Sequence, residues 1–398
     1  MTFFARGRRL APLIGFAAGL SLGLFGCVDD DAHGGPQDLG PAVTNADLFS
    51  VEHLPSFYIY LDDEAYAALE EEPKEWVSGD FVYEDKRFEN VGVRLKGNHS
   101  FRPLGEKASF KVKFNKFIKG ERFLGMEALT FNSMVVDSSM LREWISYRVF
   151  RTLGVPAPRT GFSQIYVNEE LYGLYLTVEP YDDEFLERHF DDPSGNLYES
   201  DKSADLDTSV DSWDQDEGED ESRQDLMEFA ALALMPGTAV FYGAQAMVNM
   251  DEFLSFLAAE TVVGHFDGHI GGHNFFIYHE PTEGQWTYHP WSLDQSLVRH
   301  NTPYDHAGYL GWKCLHENEC LVDYVKHFQD DLDLVDRIEF QTEVNQVIEL
   351  TDEAMRNDPK KPYSADAVVD GRERSLDFIK VRSEELRPQL DCLVNGDE

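Results

Sequence analysis

The chain has 398 residues, 74 of them acidic and 34 basic, for a formal net charge of −40. That balance excludes the basic footprint of a nucleic-acid binder and an electrostatic hold on anionic lipid headgroups. An anionic ligand must therefore be met by local cations or by a metal ion. Aliphatic and aromatic residues suffice for a sizeable core, and no internal repeat is visible.

Residues 1–27 read as a targeting segment. Arg6, Arg8 and Arg9 supply a charged start, and Leu10 to Phe25 is apolar but broken by glycines, too short for a convincing membrane span. Leu24-Phe25-Gly26-Cys27 resembles a bacterial lipobox, with Phe25 where a small residue is usual. In that reading Cys27 carries a lipid and ties an exported protein to a membrane of the cell envelope. An ordinary cleaved signal peptide is the alternative. Residues 28–45, acidic and rich in Gly, Pro and Ala, read as a flexible tether. The rest, 46–392, is long for one domain but compatible with one.

Phe57–Leu61 predicts a strand and Asp62–Glu71 a short helix. Phe81–Gly97 alternates enough for paired strands, with turn residues at Glu84-Asp85 and Glu89-Asn90. Phe110–Phe114 predicts a strand with Lys111 and Lys113 on one face and apolar residues on the other. A lysine beneath a polar, Gly-containing loop can reach phosphates, and Lys111 is the candidate. Lys107 and Lys113 read as solvated. Leu129–Asn132 predicts another strand. Asp137 or Ser138 can cap a following helix, whose Leu141, Ile145, Val149 and Leu153 fall at helical spacing before Gly154 and the prolines at 156 and 158 stop it. Ser163–Val178 predicts two strands around Asn168-Glu169.

Residues 201–225 are densely acidic. They read as a solvated, mobile insertion, with a calcium loop as the alternative, because oxygen donors are closely spaced; the order of acids does not match an EF-hand. Asp251–Val263 predicts an amphipathic helix, and Asp323–Leu390 a mostly helical bundle. With Cys27 set aside, Cys314, Cys320 and Cys392 remain. Cys314 and Cys320 could close a short disulfide loop in an oxidising compartment, and no Cys/His spacing reads as zinc.

The chain is organised around Gly264–Val298. Asp267 is followed seven residues later by Asn274, then by a predicted hairpin, Phe275–Tyr278 and Trp286–Trp291, and then by Asp294. Pairing would bring the loop before Asn274 close to the loop holding Asp294. Two carboxylates and an amide then converge, which suits a hard divalent cation beside a nucleotide phosphate. Asp and Asn are also ordinary turn residues, so strand-end caps are the plainer alternative.

This stretch, GHFDGHIGGHNFFIY followed by HPWSLDQSL, resembles the CotH kinase family, the spore-coat-type atypical protein kinases, with its D-(R)-x-x-x-H-N segment and P-W-D-x-D. Further blocks agree in order. Arg94-Leu95-Lys96-Gly97-Asn98-His99-Ser100 is similar to the family's R-G-N-S-S loop. Phe110–Phe114 is similar to its lysine-bearing strand, Leu141-Arg142-Glu143 to L-R-(D/E), and Gly195-Asn196-Leu197-Tyr198 to G-N-L-Y. Ser292 stands where the family has the first Asp of P-W-D-x-D, and Gly268 where it often has Arg. The resemblance implies an α+β, bilobal, kinase-like fold: a strand-rich N-lobe over about 46–180 and a mainly helical C-lobe over about 181–392. It implies ATP and Mg²⁺ or Mn²⁺ as cofactors and transfer of phosphate to a Ser/Thr hydroxyl of a protein outside the cytoplasm. Asp267 would be the catalytic base, Lys111 a phosphate contact, Asn274 and Asp294 the metal ligands. Glu143 would pair with the strand lysine, or be an ordinary first-turn acid. A catalytically inactive scaffold or adhesion lipoprotein is the alternative reading. A calcium-dependent sugar-binding module is weaker still, since no sugar-stacking aromatic pattern is visible.

Overall fold

The computed structural model describes residues 44–200 and 204–395. The targeting segment, Cys27 and the tether up to residue 43 lie outside the described residues. So do residues 201–203 of the acidic stretch. Two short helices, α1 (Asn45–Leu48) and α2 (Asp63–Glu71), accompany the first strands; Asp62 caps α2 by accepting the Ala65 N–H at 2.8 Å.

Alternating burial marks the earlier strands of the first half, whereas the later ones are buried at nearly every residue. β1 (Ser56–Tyr60), β2 (Val77–Tyr83), β3 (Lys86–Lys96), β4 (Ser109–Lys113), β5 (Ala128–Asn132), β6 (Thr160–Val167) and β7 (Glu170–Val178) close a barrel in the order β1-β2-β3-β4-β5-β7-β6. Closure is made by the parallel pair β1 and β6, which removes any free edge. The inward residues are largely aromatic: Phe57 lies 5.3 Å from both Phe81 and Phe131, and Phe114 stacks on Phe123 at 5.2 Å. Glu84-Asp85 turns the chain between β2 and β3 as expected. Glu89-Asn90, expected as a turn, instead lies inside β3. There Asn90 takes a left-handed φ of 55°, and the β2–β3 register slips between Gly79 and Phe81. A bulge absorbs the extra residue, so turn-forming side chains do not end the strand.

α3 (Arg142–Thr152) follows β5, and Asp137 holds its start by accepting the Arg142 N–H at 2.8 Å. α4 (Asp183–His189) leads into the second part. There β8 (Asn196–Ser200), β9 (Trp213–Glu217), β10 (Phe275–Glu280) and β11 (Gln285–Pro290) form a sheet in the order β11-β10-β8-β9. The helices α5 (Gln224–Ala230), α6 (Ala239–Met247), α7 (Met250–Val263), α8 (Tyr309–Leu315), α9 (Asn318–Val335), α10 (Phe340–Asn357) and α11 (Ala365–Asn395) complete it. The architecture is therefore α+β, strand-rich first and mainly helical after. Among the described residues no helix is long and apolar enough to cross a membrane.

Two expectations are corrected. The acidic stretch is ordered over its described part, although more than half of its residues there stay exposed as expected: β9 pairs with β8, and Asp225 accepts from Asn196 Nδ2 at 3.0 Å and Tyr198 OH at 2.8 Å. Among the described residues no cluster of three or more His, Cys, Asp or Glu stands ready to hold a metal, so the calcium alternative gains no support. Lys107 is not solvated. Its ammonium is buried against Asp358 at 2.6 Å, and Asp358 also accepts the Leu174 N–H at 3.0 Å. Asp358, in the turn after α10, brings a carboxylate to the barrel wall, which no local pattern around Lys107 encodes. Gly173, at φ 125°, leaves room for that carboxylate, since a Cβ there would overlap it.

Cys314 and Cys320 are joined, as their spacing suggested, and Cys392 is a free, exposed thiol. The disulfide closes a short loop from α8 into α9. We expect the double change Cys314→Ser, Cys320→Ser to cost about 2–3 kcal/mol, on the loop-entropy account for short loops. Chemical denaturation of both proteins, without reductant, measures it; equal midpoints would refute a stabilising role.

Candidate active site

The β10–β11 hairpin sets the geometry. Its register pairs Phe275 with Pro290, so Asn274 and Trp291 flank the same end, where the Trp291 N–H donates to the Asn274 carbonyl at 3.1 Å. Asn274 sits at φ 47°, a left-handed conformation that Asn tolerates better than most side chains. Its Nδ2 donates to the Asp267 carbonyl at 2.6 Å and to Asp267 Oδ2 at 3.2 Å. Gln295 Nε2 donates to the same Oδ2 at 3.1 Å. Asp267, Asn274 and the Leu293–Gln295 turn that carries Asp294 are thus one cluster, as the hairpin argument required.

The barrel contributes the opposite wall. Lys96, at the end of β3, donates to Asn132 Oδ1 at 2.9 Å, and Asn132 Nδ2 donates to Glu143 Oε2 at 2.7 Å. Lys96 also lies over the Trp291 ring at 5.1 Å. Burial pushes Glu143 up to about 7, and the nearby Asp294 adds to that, while Lys96 and Asn132 pull the other way. Burial likewise pushes Asp294 up to about 6 against the pull of Lys96. Burial lowers Lys96, and Glu143 and Asp294 oppose it. These are three charged groups in one poorly solvated network.

Glu143 is therefore deeply buried, and its lysine is Lys96 acting through Asn132, not Lys111. The strand register gives the reason: Lys96 aligns with Ser109 near the end of β5, whereas Lys111 aligns with Arg94 and Thr130, farther along the wall. Lys111 faces Asp216 and Glu199, with Arg94 beside it. Lys96 lies inside the Arg94–Ser100 block, where the sequence motif does not single it out. The signal that could have found it is alternation: Arg94 and Lys96 share the face opposite the buried Val93 and Leu95.

Asp294 and Asn274 would be the protein ligands of a divalent ion here, two donors where no cluster of three or more acids, histidines or cysteines stands among the described residues. Asp294 is a half-buried carboxylate held above its ordinary pKa, and Asn274 keeps its Oδ1 after its nitrogen is engaged with Asp267. Mg²⁺ commonly takes only one or two carboxylates and completes its shell with phosphates and water.

Beneath the Asp267 loop, His269 is fully buried among Phe253, Phe256, Phe275 and Tyr288, and neither ring nitrogen has a hydrogen-bond partner. Burial first, and His306 second, lower it to about 3. The unfolded chain binds this proton more readily, so His269 favours folding above about pH 6.5 and opposes it as pH falls. At pH 5.5 it should cost about 1.4 kcal/mol. His269→Leu is expected to flatten the stability–pH curve between pH 6.5 and 5.5 by about 1 kcal/mol, since about 0.4 kcal/mol of that cost is already present at pH 6.5. An unchanged slope in denaturant titrations would show that His269 is not neutral in the folded protein.

Residues 93–386 match the family described as CotH kinase protein. Inner spore coat protein H of Bacillus subtilis (strain 168) is 22% identical over 326 residues, which cover 76% of this chain and 88% of that protein. Among solved structures, the Helicobacter pylori proinflammatory kinase CtkA is 12% identical with a TM-score of 0.34, covering 72% of this chain and 93% of CtkA. A chain of the Shewanella oneidensis MR-1 toxin–antitoxin complex of HipA, HipB and operator DNA is 11% identical with a TM-score of 0.38, covering 85% and 82%. Scores this low carry no argument about activity. The match over residues 93–386, which span most of the strand-rich wall and the whole hairpin cluster, shows the family: the chain belongs to the CotH kinase protein family.

Proposed function

We propose that this protein is an ATP- and divalent-metal-dependent kinase that phosphorylates a protein hydroxyl outside the cytoplasm. The observation that carries the reading is the meeting of Lys96, Glu143 and Asp294 across from Asp267 and Asn274. Lys96 would hold phosphate oxygens, kept in place by the Asn132–Glu143 relay, with Lys111 and Arg94 adding positive charge farther along the wall. Asn274 and Asp294 would hold the metal, which supplies charge neutralisation at the phosphates. Asp267 would orient the accepting hydroxyl and take its proton. Such catalysis is mostly positioning and electrostatics.

The test is a thermal-shift titration of purified protein with ATP, with and without Mg²⁺ or Mn²⁺, followed by transfer to a generic protein acceptor. Metal-dependent stabilisation by ATP supports the reading, and Lys96→Ala should weaken it more than Lys111→Ala. A protein that binds neither nucleotide nor metal would be a scaffold with a kinase-like shape, the reading that Ser292 favours. The anchor is a separate proposal, motivated by the lipobox-like run ending at Cys27. Cys27→Ser should release the protein from the membrane fraction or leave it unprocessed; wild-type fractionation and migration would end that idea.

A further inference from the structure

Behind the Asp267 loop lie two charged groups that the phosphoryl-transfer reading does not use. Glu260, in the last turns of α7, and His265, just beyond it, have fully buried side chains. His265 Nδ1 lies 2.8 Å from Glu260 Oε1, and its Nε2 lies 3.2 Å from the Ser292 carbonyl oxygen. Both neighbours are acceptors, so the ring meets them best with a proton on each nitrogen. Glu260 Oε2 also accepts the Ile270 N–H at 3.0 Å. Two loops therefore hang from one buried pair. Ile270 follows Asp267 in its loop, and Ser292 opens the turn that carries Asp294.

The same pair touches both positions that depart from the family pattern, and at Gly268 it excludes a side chain. A Cβ on Gly268 would overlap His265 Nδ1 and come within 2.6 Å of Glu260 Oε1, so no side chain fits where the family often has Arg. Ser292 sits at φ 58°, a left-handed conformation, and its carbonyl oxygen accepts from His265. Its backbone thus has a role that does not depend on a carboxylate at that position.

We propose that Glu260 and His265 are positioning residues that fix the Asp267 loop and the Asp294 turn relative to each other, so that base and metal ligand share one geometry. This rests on the kinase reading, and its consequence is a turnover effect larger than any stability effect. Misplacement of about 1 Å can cost on the order of 10²-fold in rate.

The test is the paired change Glu260→Leu, His265→Phe, made together. Replacing a buried ion pair by apolar residues of similar size is often neutral for stability, so the fold should persist. We expect kcat to fall at least about tenfold while the KM for ATP changes less than about threefold. A stable double variant with wild-type kcat, or one in which only KM rises, would overturn the proposal. Amide exchange gives a readout that needs no activity: the single variant His265→Phe should speed exchange in both 268–272 and 293–297. Unchanged exchange in 293–297 would also overturn it, even in a protein that transfers no phosphate. Absence of nucleotide binding in wild type would instead sink the kinase reading and leave the exchange result to judge the pair.

Discussion

Asp294→Ala is expected to abolish metal-dependent ATP binding while leaving the fold intact. The carboxylate lies half-buried beside Lys96 and within the field of Asp267 and Asp137, and burial holds its pKa near 6, above the ordinary value of 3.8. A carboxyl raised in the folded state opposes folding once ionised, and does so fully above its folded pKa. At neutral pH without metal, Asp294 is therefore a burden on the fold. The alanine variant should melt at the same temperature as wild type or higher, and should lose the stabilisation that ATP and Mg²⁺ confer. Calorimetric titration with and without metal decides it. A variant that unfolds more easily but still binds ATP in a metal-dependent way would assign Asp294 to packing and remove it from the site. Ser292→Asp is the matching control: it adds the carboxylate usual in the family, and a catalytic site should keep or gain activity.

Asp267→Asn should behave differently. The change preserves shape and keeps an oxygen that can accept from Asn274 and Gln295, the two donors that now hold the carboxylate. ATP should still bind with metal, because Lys96 and Asp294, the proposed phosphate contact and metal ligand, are untouched. Transfer should fall by at least about 10²-fold, the lower range for a lost acid–base group. Initial rates at saturating ATP measure this. A variant with wild-type turnover would mean that another group takes the proton, and a variant that fails to bind ATP would move Asp267 from base to metal ligand.

The sequence by itself determined a good deal. Strand alternation marked several barrel strands, and an apolar run bounded by turn residues marked the β10–β11 hairpin, because burial on one face leaves a period of two and burial on both leaves a continuous run. The hairpin in turn brought Asp267, Asn274 and Asp294 together, since pairing fixes which loops share an end. The loop between Cys314 and Cys320 was legible because closure of a short loop needs little from the rest of the chain. Tertiary structure alone decided the opposite wall. Alternation puts Arg94, Lys96, Lys111 and Lys113 on outward faces, but only the registers of β3, β4 and β5 choose Lys96 to meet Asn132 and Glu143. Only the approach of the turn after α10 buries Lys107 on Asp358. Only the β8–β9 pairing turns an acidic run, polar enough to pass for solvated chain, into a sheet edge with Asp216 facing Lys111. In each case the deciding partner is distant in sequence, and the local residue pattern is the same whether or not that partner arrives.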